Sequence, residues 1–261
     1  MASRRTALLL FAVGALSLTT PAFAQAPREI NVLFIGNSYT RMNNLPDMLS
    51  MTAASDESAP FRIDVDSVTN DGKRLKDLWD NGEALRRLHD PKKHWDYVVL
   101  QEQSLWATNP EWVTATYAAV KAWNYEITKA SARTVLFETW ARQPGSNWYM
   151  EPEKDSLHLG SAADMQQKIS DHTSELARSV NALEIPVGDY WALASRQTPP
   201  VALYDSDGSH PTQAGTYLAA LIFYRYLTGK QPDCTAYVPP NMAPALAKQL
   251  ANIASRGLTQ N

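Results

Sequence analysis

Short apolar runs alternate along this chain with longer segments whose apolar residues recur every three or four positions. Residues 31–35 (Asn-Val-Leu-Phe-Ile) form a run closed by Gly36, the pattern of a strand buried on both faces. Residues 45–54 read as a helix, with Asn43 or Asn44 as its N-cap and Pro46 in its first turn. Residues 61–68 alternate apolar with polar, as a half-buried strand does. Leu75, Leu78, Trp79, Leu85 and Leu88 predict one or two short helices. Residues 97–100 and 134–137 are further strands, and residues 112–130 between them carry Val113, Tyr117, Val120 and Ile127 at helical spacing. A long helix over 163–183, a short strand around 185–187, an apolar helix over 212–227 and a last helix over 243–253 complete the pattern.

Strand and helix alternating in this way predict an α/β fold with a parallel sheet covered on both faces. Right-handed crossovers make it a flavodoxin-like three-layer α/β/α sandwich of about five strands. Such folds place reactive groups in loops at the carboxyl ends of strands. The loops after Ile35, Leu100 and Phe137 are therefore the ones to inspect.

The N-terminus is set apart from that domain. Arg4 and Arg5 precede an apolar run from Ala7 to Leu18, and Ala22-Phe23-Ala24 is a small-x-small cleavage pattern. The run is too short to span a bilayer, which takes roughly 20 residues. Residues 1–24 are expected to be a signal peptide, and residues 25–261 one domain. The expected location is thus outside the cytoplasm, periplasmic or secreted. Ala7 stands where the twin-arginine motif expects a bulky residue, which favours the general secretory route. The remaining chain has no run long enough for a transmembrane helix. With a net charge of −3 and intermixed signs, it offers no basic face for nucleic acid. Cys234 is the only cysteine, so no intrachain disulfide can form. The five histidines (89, 94, 158, 172 and 210) show no metal-ligand spacing. No phosphate-binding or dinucleotide glycine pattern is present, so neither metal nor cofactor is expected. Gly-x-Ser-x-Gly, the nucleophile elbow of the α/β-hydrolases, is absent too.

Chemistry concentrates at two places far apart in sequence. The loop Gly36-Asn37-Ser38-Tyr39-Thr40 puts a serine at a strand-to-helix turn, where it is either a nucleophile or an ordinary helix cap. The loop Asp205-Ser-Asp-Gly-Ser-His-Pro-Thr-Gln213 precedes the apolar helix near the C-terminus, and Pro211 is expected in that helix's first turn. Asp207 and His210 are three apart, so one tight turn can present an imidazole with a carboxylate behind it. Such a carboxylate fixes the tautomer and stabilises the imidazolium formed when a serine gives up its proton.

Gly36-Asn37-Ser38 resembles the first block of the SGNH hydrolases (GDSL-like esterases), and Asp207-Gly208-Ser209-His210-Pro211 resembles their last. The resemblance implies Ser38 as nucleophile, His210 as general base and Asp207 as its orienting partner. It also implies an oxyanion hole from the N–H groups of Ser38 and of a glycine after the second strand. Gly72 matches that glycine best, and Gly82 is the alternative. The family's third block usually reads Gly-x-Asn-Asp, whereas this chain has Leu100-Gln101-Glu102-Gln103-Ser104, a pattern similar to a subgroup of the family. Counting from the strand end places Gln103 on the family's Asn, with Gln101 as the other candidate donor.

The stretch 138–149 follows the fourth strand and is expected to overhang the site. Trp106, Trp140, Trp148 and Tyr149 then offer flat faces for sugar rings, or else pack a long loop onto the domain. Asn37, Gln101, Trp106 and Trp140 are the candidate substrate-binding residues. Arg142 is either a solvated surface group or a partner for an anion such as a uronate. The function implied is an exported serine esterase that removes acetyl or other short acyl groups from a small or polymeric carbohydrate ester. An acyltransferase or lipid esterase on the same fold, or an inactive glycan-binding module, are the alternatives.

Overall fold

The computed structural model describes residues 27–57, 61–150, 159–232 and 235–258. The expected signal peptide lies outside the described residues, as do His158 and Cys234. Five parallel strands form one sheet: β1 (Arg28–Gly36), β2 (Phe61–Thr69), β3 (Tyr97–Leu100), β4 (Arg133–Phe137) and β5 (Leu183–Ile185). Their order is β2-β1-β3-β4-β5, the doubly wound flavodoxin-like arrangement. The chain winds outward from β1 to β2, then returns past β1 to β3. The crevice opened by that reversal lies at the carboxyl ends of β1 and β3.

The helices follow in chain order as α1 (Ser38–Arg41), α2 (Leu45–Ala54), α3 (Leu75–Asn81), α4 (Glu83–Leu88), α5 (Pro110–Lys129), α6 (Ala162–Val180), α7 (Val187–Ser195), α8 (Gln213–Thr228) and α9 (Pro244–Ala254). Side-chain alternation in β1 explains the two cores. Ile30, Val32 and Phe34 pack with α2, α7, α8 and α9, whereas Leu33 and Ile35 pack with α3, α4, α5 and α6. Edge strand β2 alternates buried with exposed positions, which is why its sequence alternates while that of β1 does not. Helix α8 is buried on nearly all sides, so it shows no single apolar stripe.

The predicted elements recur within two or three residues of their expected ends, with two corrections. The strand expected around 185–187 ends at Ile185, and Val187 instead begins α7. Its buried residues Val187, Tyr190, Trp191 and Ala194 do repeat at helical spacing, but Gly188 and the β-formers around it mask the signal. Pro211 does not open α8. Thr212 caps that helix by accepting from Gly215 N–H at 3.2 Å, and Pro211 bridges to Tyr204 one step earlier. Gly82, at φ +74°, closes α3 before α4 begins, as a left-handed cap should. Among the described residues no helix is long and apolar enough to cross a membrane.

Candidate active site

Ser38 is the first residue of α1, directly after β1. Asn37 is its N-cap: the Asn37 Oδ1 accepts from Tyr39 N–H at 3.1 Å. At the first position of a helix the backbone N–H has no intrahelical acceptor, so that of Ser38 is available to a ligand. The turn is held from below by β3. Gln101 Oε1 accepts from Asn37 N–H at 2.8 Å and from Thr40 Oγ1 at 3.0 Å, while its Nε2 donates to the Glu102 carbonyl. A Cβ on Gly36 would lie 2.6 Å from Gln101 Oε1 and 2.8 Å from Thr40 Oγ1, so only glycine lets the strand end approach this closely.

From the other side, residues 203–212 fold back on themselves. Asp205 N–H donates to the His210 carbonyl at 2.8 Å, and Gly208 turns the corner at φ +66°. Within that turn Asp207 Oδ1 accepts from Ser209 N–H and His210 N–H, both at 2.9 Å, and Asp207 Oδ2 lies 2.5 Å from His210 Nδ1. The opposite ring nitrogen, His210 Nε2, is 2.9 Å from Ser38 Oγ. Burial works to raise the Asp207 carboxyl, but the bonds from His210 and Ser209 outweigh it and hold Asp207 below the usual carboxylate range. Ser38, His210 and Asp207, spread over most of the sequence, thus form one hydrogen-bonded line.

Gly72 lies in the loop after β2 at φ +71°, a conformation that favours glycine. Four hydrogen bonds bring this loop to the Ser38 turn: Asn37 Nδ2 to the Lys73 carbonyl at 3.0 Å, Asn70 N–H to the Gly36 carbonyl at 3.1 Å, and the two of the Arg41 fork on Asp71 at 2.8 and 2.6 Å. That fork, chiefly through its hydrogen bonds, holds the Asp71 carboxyl low, and proximity to His210 adds to it. In the loop after β3, Gln103 Oε1 accepts from Leu105 N–H at 2.6 Å, which leaves its amide nitrogen as the donor end. Gln101 has both ends of its amide engaged inside the protein, and it is fully buried. Of the two glutamines, only Gln103 has a donor to offer.

Between them, Glu102 is a buried carboxylate that ties three elements together. It accepts from Gln103 N–H at 2.7 Å, from Leu75 N–H at the start of α3 at 3.2 Å, and from Thr116 Oγ1 in α5 at 3.2 Å. Burial pushes its carboxyl up to about 7 against the opposing effect of those bonds.

The residues after β4 depart from expectation. Glu138 to Arg142 are all buried and so do not overhang the site, whereas Gln143, at the start of the more exposed part of the stretch, bonds to the His210 turn through Gly208. Trp140 is only 1% exposed, stacked between Tyr39 and Trp191, and Trp106 is 4% exposed in the core beside His172. Neither presents a face to a substrate, because each is consumed by packing. Arg142, at 5% exposure, is not a solvated group, and its guanidinium lies over the Trp148 ring at 4.7 Å. Glu138 is fully buried with its carboxyl raised well above the usual range by burial and by the neighbouring Asp189 and Glu184 charges. It accepts from Gln166 Nε2 at 2.5 Å. Tyr39 and Ser209, which adjoin the site in space, carry no sequence signal that would have singled them out, and Arg142, considered from the sequence as an anion partner, instead donates to Tyr39. Among the described residues no group of three or more His, Cys, Asp or Glu side chains is placed to hold a metal ion.

Comparison with known proteins matches the fold. A proposed SGNH hydrolase from Slackia heliotrinireducens superposes with a TM-score of 0.60 at 26% identity, over 77% of this chain and 100% of that one. A DUF4886 family protein from Bacteroides uniformis gives 0.72 at 20% identity, over 87% and 94%. An acetyl xylan esterase variant from Geobacillus stearothermophilus gives 0.53 at 17% identity, over 76% and 94%. No family model and no curated protein matches the sequence. Over most of its length, then, the chain has the fold of the SGNH hydrolases, as the blocks around Ser38 and His210 implied.

Proposed function

We propose that this protein is an exported serine esterase that removes acetyl or other short acyl groups from a carbohydrate. The observation that carries the reading is the continuous line from Ser38 Oγ to His210 Nε2 at 2.9 Å and from His210 Nδ1 to Asp207 at 2.5 Å. A serine hydroxyl becomes a competent nucleophile when a neighbouring base takes its proton. Here His210 Nε2 receives the Ser38 proton as Oγ attacks the ester carbonyl, and Asp207 keeps the proton of the imidazole on Nδ1. The oxygen of the tetrahedral intermediate gains negative charge, and in this reading the N–H groups of Ser38 and Gly72 and the Gln103 amide receive it. His210 then protonates the departing sugar oxygen. Water, deprotonated by His210, attacks the acyl-Ser38 ester, and expulsion of Ser38 Oγ releases the acid and restores the hydroxyl.

The SGNH-type fold and the acetyl xylan esterase among the similar structures support ester hydrolysis. Export rests on the signal-peptide pattern of residues 1–24, and the choice of a sugar ester is prompted by the acetyl xylan esterase among the similar structures. Hydrolysis of p-nitrophenyl acetate, butyrate and octanoate by the mature chain, beside Ser38→Ala and His210→Ala, tests the chemistry. Activity highest on acetate and abolished in both variants is the expected result. A preference for octanoate would favour a lipid esterase, and transfer of acetyl to added sugars would favour an acyltransferase. Ser38→Ala retaining wild-type rates would overturn the reading.

A further inference from the structure

Ser38 and His210 belong to elements that are 172 residues apart, and their separation is set by whatever joins those elements. The residue after Ser38 and the residue before His210 meet directly: Tyr39 Oη and Ser209 Oγ are 2.7 Å apart in the buried interior. Arg142 Nη1 donates to the same Tyr39 oxygen at 2.5 Å. An arginine has only donors, so Tyr39 Oη accepts from it, while in the Tyr39–Ser209 bond either hydroxyl can be the donor. The second contact on Ser209 comes from Trp140, whose indole N–H donates to the Ser209 carbonyl at 2.9 Å.

The rings behind these bonds leave little room for adjustment. Tyr39 stacks on Trp140 with centroids 4.6 Å apart and planes at 4°, and Trp140 stacks on Trp191 at 3.8 Å and 3°. Two helix glycines admit this pile. A Cβ on Gly215 of α8 would lie 2.6 Å from the Trp191 ring, and one on Gly188 of α7 would lie 2.1 Å from the Thr139 carbonyl. Arg142 is the unusual member. Among the described residues it has no carboxylate partner, and its buried Nε has no hydrogen-bond acceptor. A cation this deeply buried, whose partners among the described residues are a tyrosine hydroxyl and an aromatic ring, is costly, so a fold that keeps one where an apolar side chain would fill the space has a use for it.

The geometry points to Arg142 and Tyr39 as positioning residues for the Ser38–His210 pair. Arg142 orients the Tyr39 hydroxyl, Tyr39 holds Ser209, and the two loops are locked at the distance that proton transfer needs. This inference rests on the reading of Ser38 as nucleophile and His210 as base. A misplacement of reacting groups by about 1 Å costs on the order of 100-fold in rate, so loss of the strut is expected to be visible in turnover.

The test uses the mature chain, p-nitrophenyl acetate and a fluorophosphonate that labels activated serines. Tyr39→Phe keeps the stacked ring and deletes only the hydroxyl. It is expected to lower kcat and the labelling rate about 10- to 100-fold, with KM held within about twofold. Arg142→Met is expected to match it, and Arg142→Lys to recover part of the loss, because lysine still donates from one point. Wild-type kcat and labelling in Tyr39→Phe, or a change confined to KM or thermal stability, would overturn the strut. Should Arg142→Met fail to fold, Tyr39→Phe alone decides. Labelling of Ser38→Ala, or none of the wild type, would instead overturn the nucleophile assignment, so the two failures are distinguishable.

Discussion

The loops that leave β3 and β4 end adjacent strands, and both lie against the candidate site, yet they are built on opposite principles. After β3, Gln101 and Glu102 are buried polar residues whose hydrogen bonds are spent on backbone N–H groups and hydroxyls of the Ser38 turn, α3 and α5. After β4, Trp140 and Arg142 sit among stacked rings, and Glu138 Oε2, Thr139 Oγ1 and Arg142 Nε have no hydrogen-bond partner among the described residues. The first loop fixes the Ser38 turn through directional bonds, which tolerate no change of donor or acceptor. The second braces the His210 turn with packed rings and the few hydrogen bonds they carry, Trp140 N–H to the Ser209 carbonyl at 2.9 Å and Gln143 N–H to the Gly208 carbonyl at 2.8 Å. Polar loops and aromatic loops can therefore serve one site, the former setting angles and the latter setting distance.

The comparison can be broken at the centre first. Ser38→Ala or His210→Ala is expected to lower kcat about 10⁴- to 10⁶-fold, read from ester hydrolysis of the purified chain. An equal rate in either variant would leave both loops supporting something other than an active site. Next in size is the donor carried by the β3 loop. Gln103→Ala is expected to cost about 10²- to 10³-fold in kcat with little change in KM, because an oxyanion donor acts only as charge develops.

Structural support separates the loops more finely. Gln101→Leu strands the Asn37 N–H and the Thr40 hydroxyl without their buried acceptor. A loss of about 1–3 kcal/mol in denaturant unfolding is expected, along with reduced turnover. The smallest effect concerns Glu102, whose carboxyl is held up to about 7 by burial. Between its unfolded range and pH 7 the folded state binds the extra proton. The stability this group contributes is therefore complete below about pH 4.5 and is lost as pH rises through about 7. Glu102→Gln keeps the shape without the titration. Its urea midpoint is expected to fall less than that of wild type between pH 5 and pH 8, and parallel curves would show that Glu102 titrates normally.

How much of this was legible in the sequence follows from what each feature depends on. The strand and helix alternation was readable because burial of β1 on both faces demands a continuous apolar run, and edge strand β2 demands alternation. The Asp207–His210 pair was readable for a similar reason, since three residues of a tight turn suffice to bring carboxylate and ring together. Gln101 and Gln103 were not separable, because their roles differ only in which atoms the fold has already engaged.

Tertiary structure alone decided the rest. Trp140 and Trp106 have the composition of sugar-stacking residues, but the fold turns both inward, and apolar area is stabilising wherever it is buried. The sequence by itself determined the layered fold and the residue types at the strand ends, because those follow from local periodicity and short turns. Only the assembled chain determined that Tyr39, Ser209 and Arg142 meet, since contacts between residues 103 and 170 positions apart leave no period in the sequence to read.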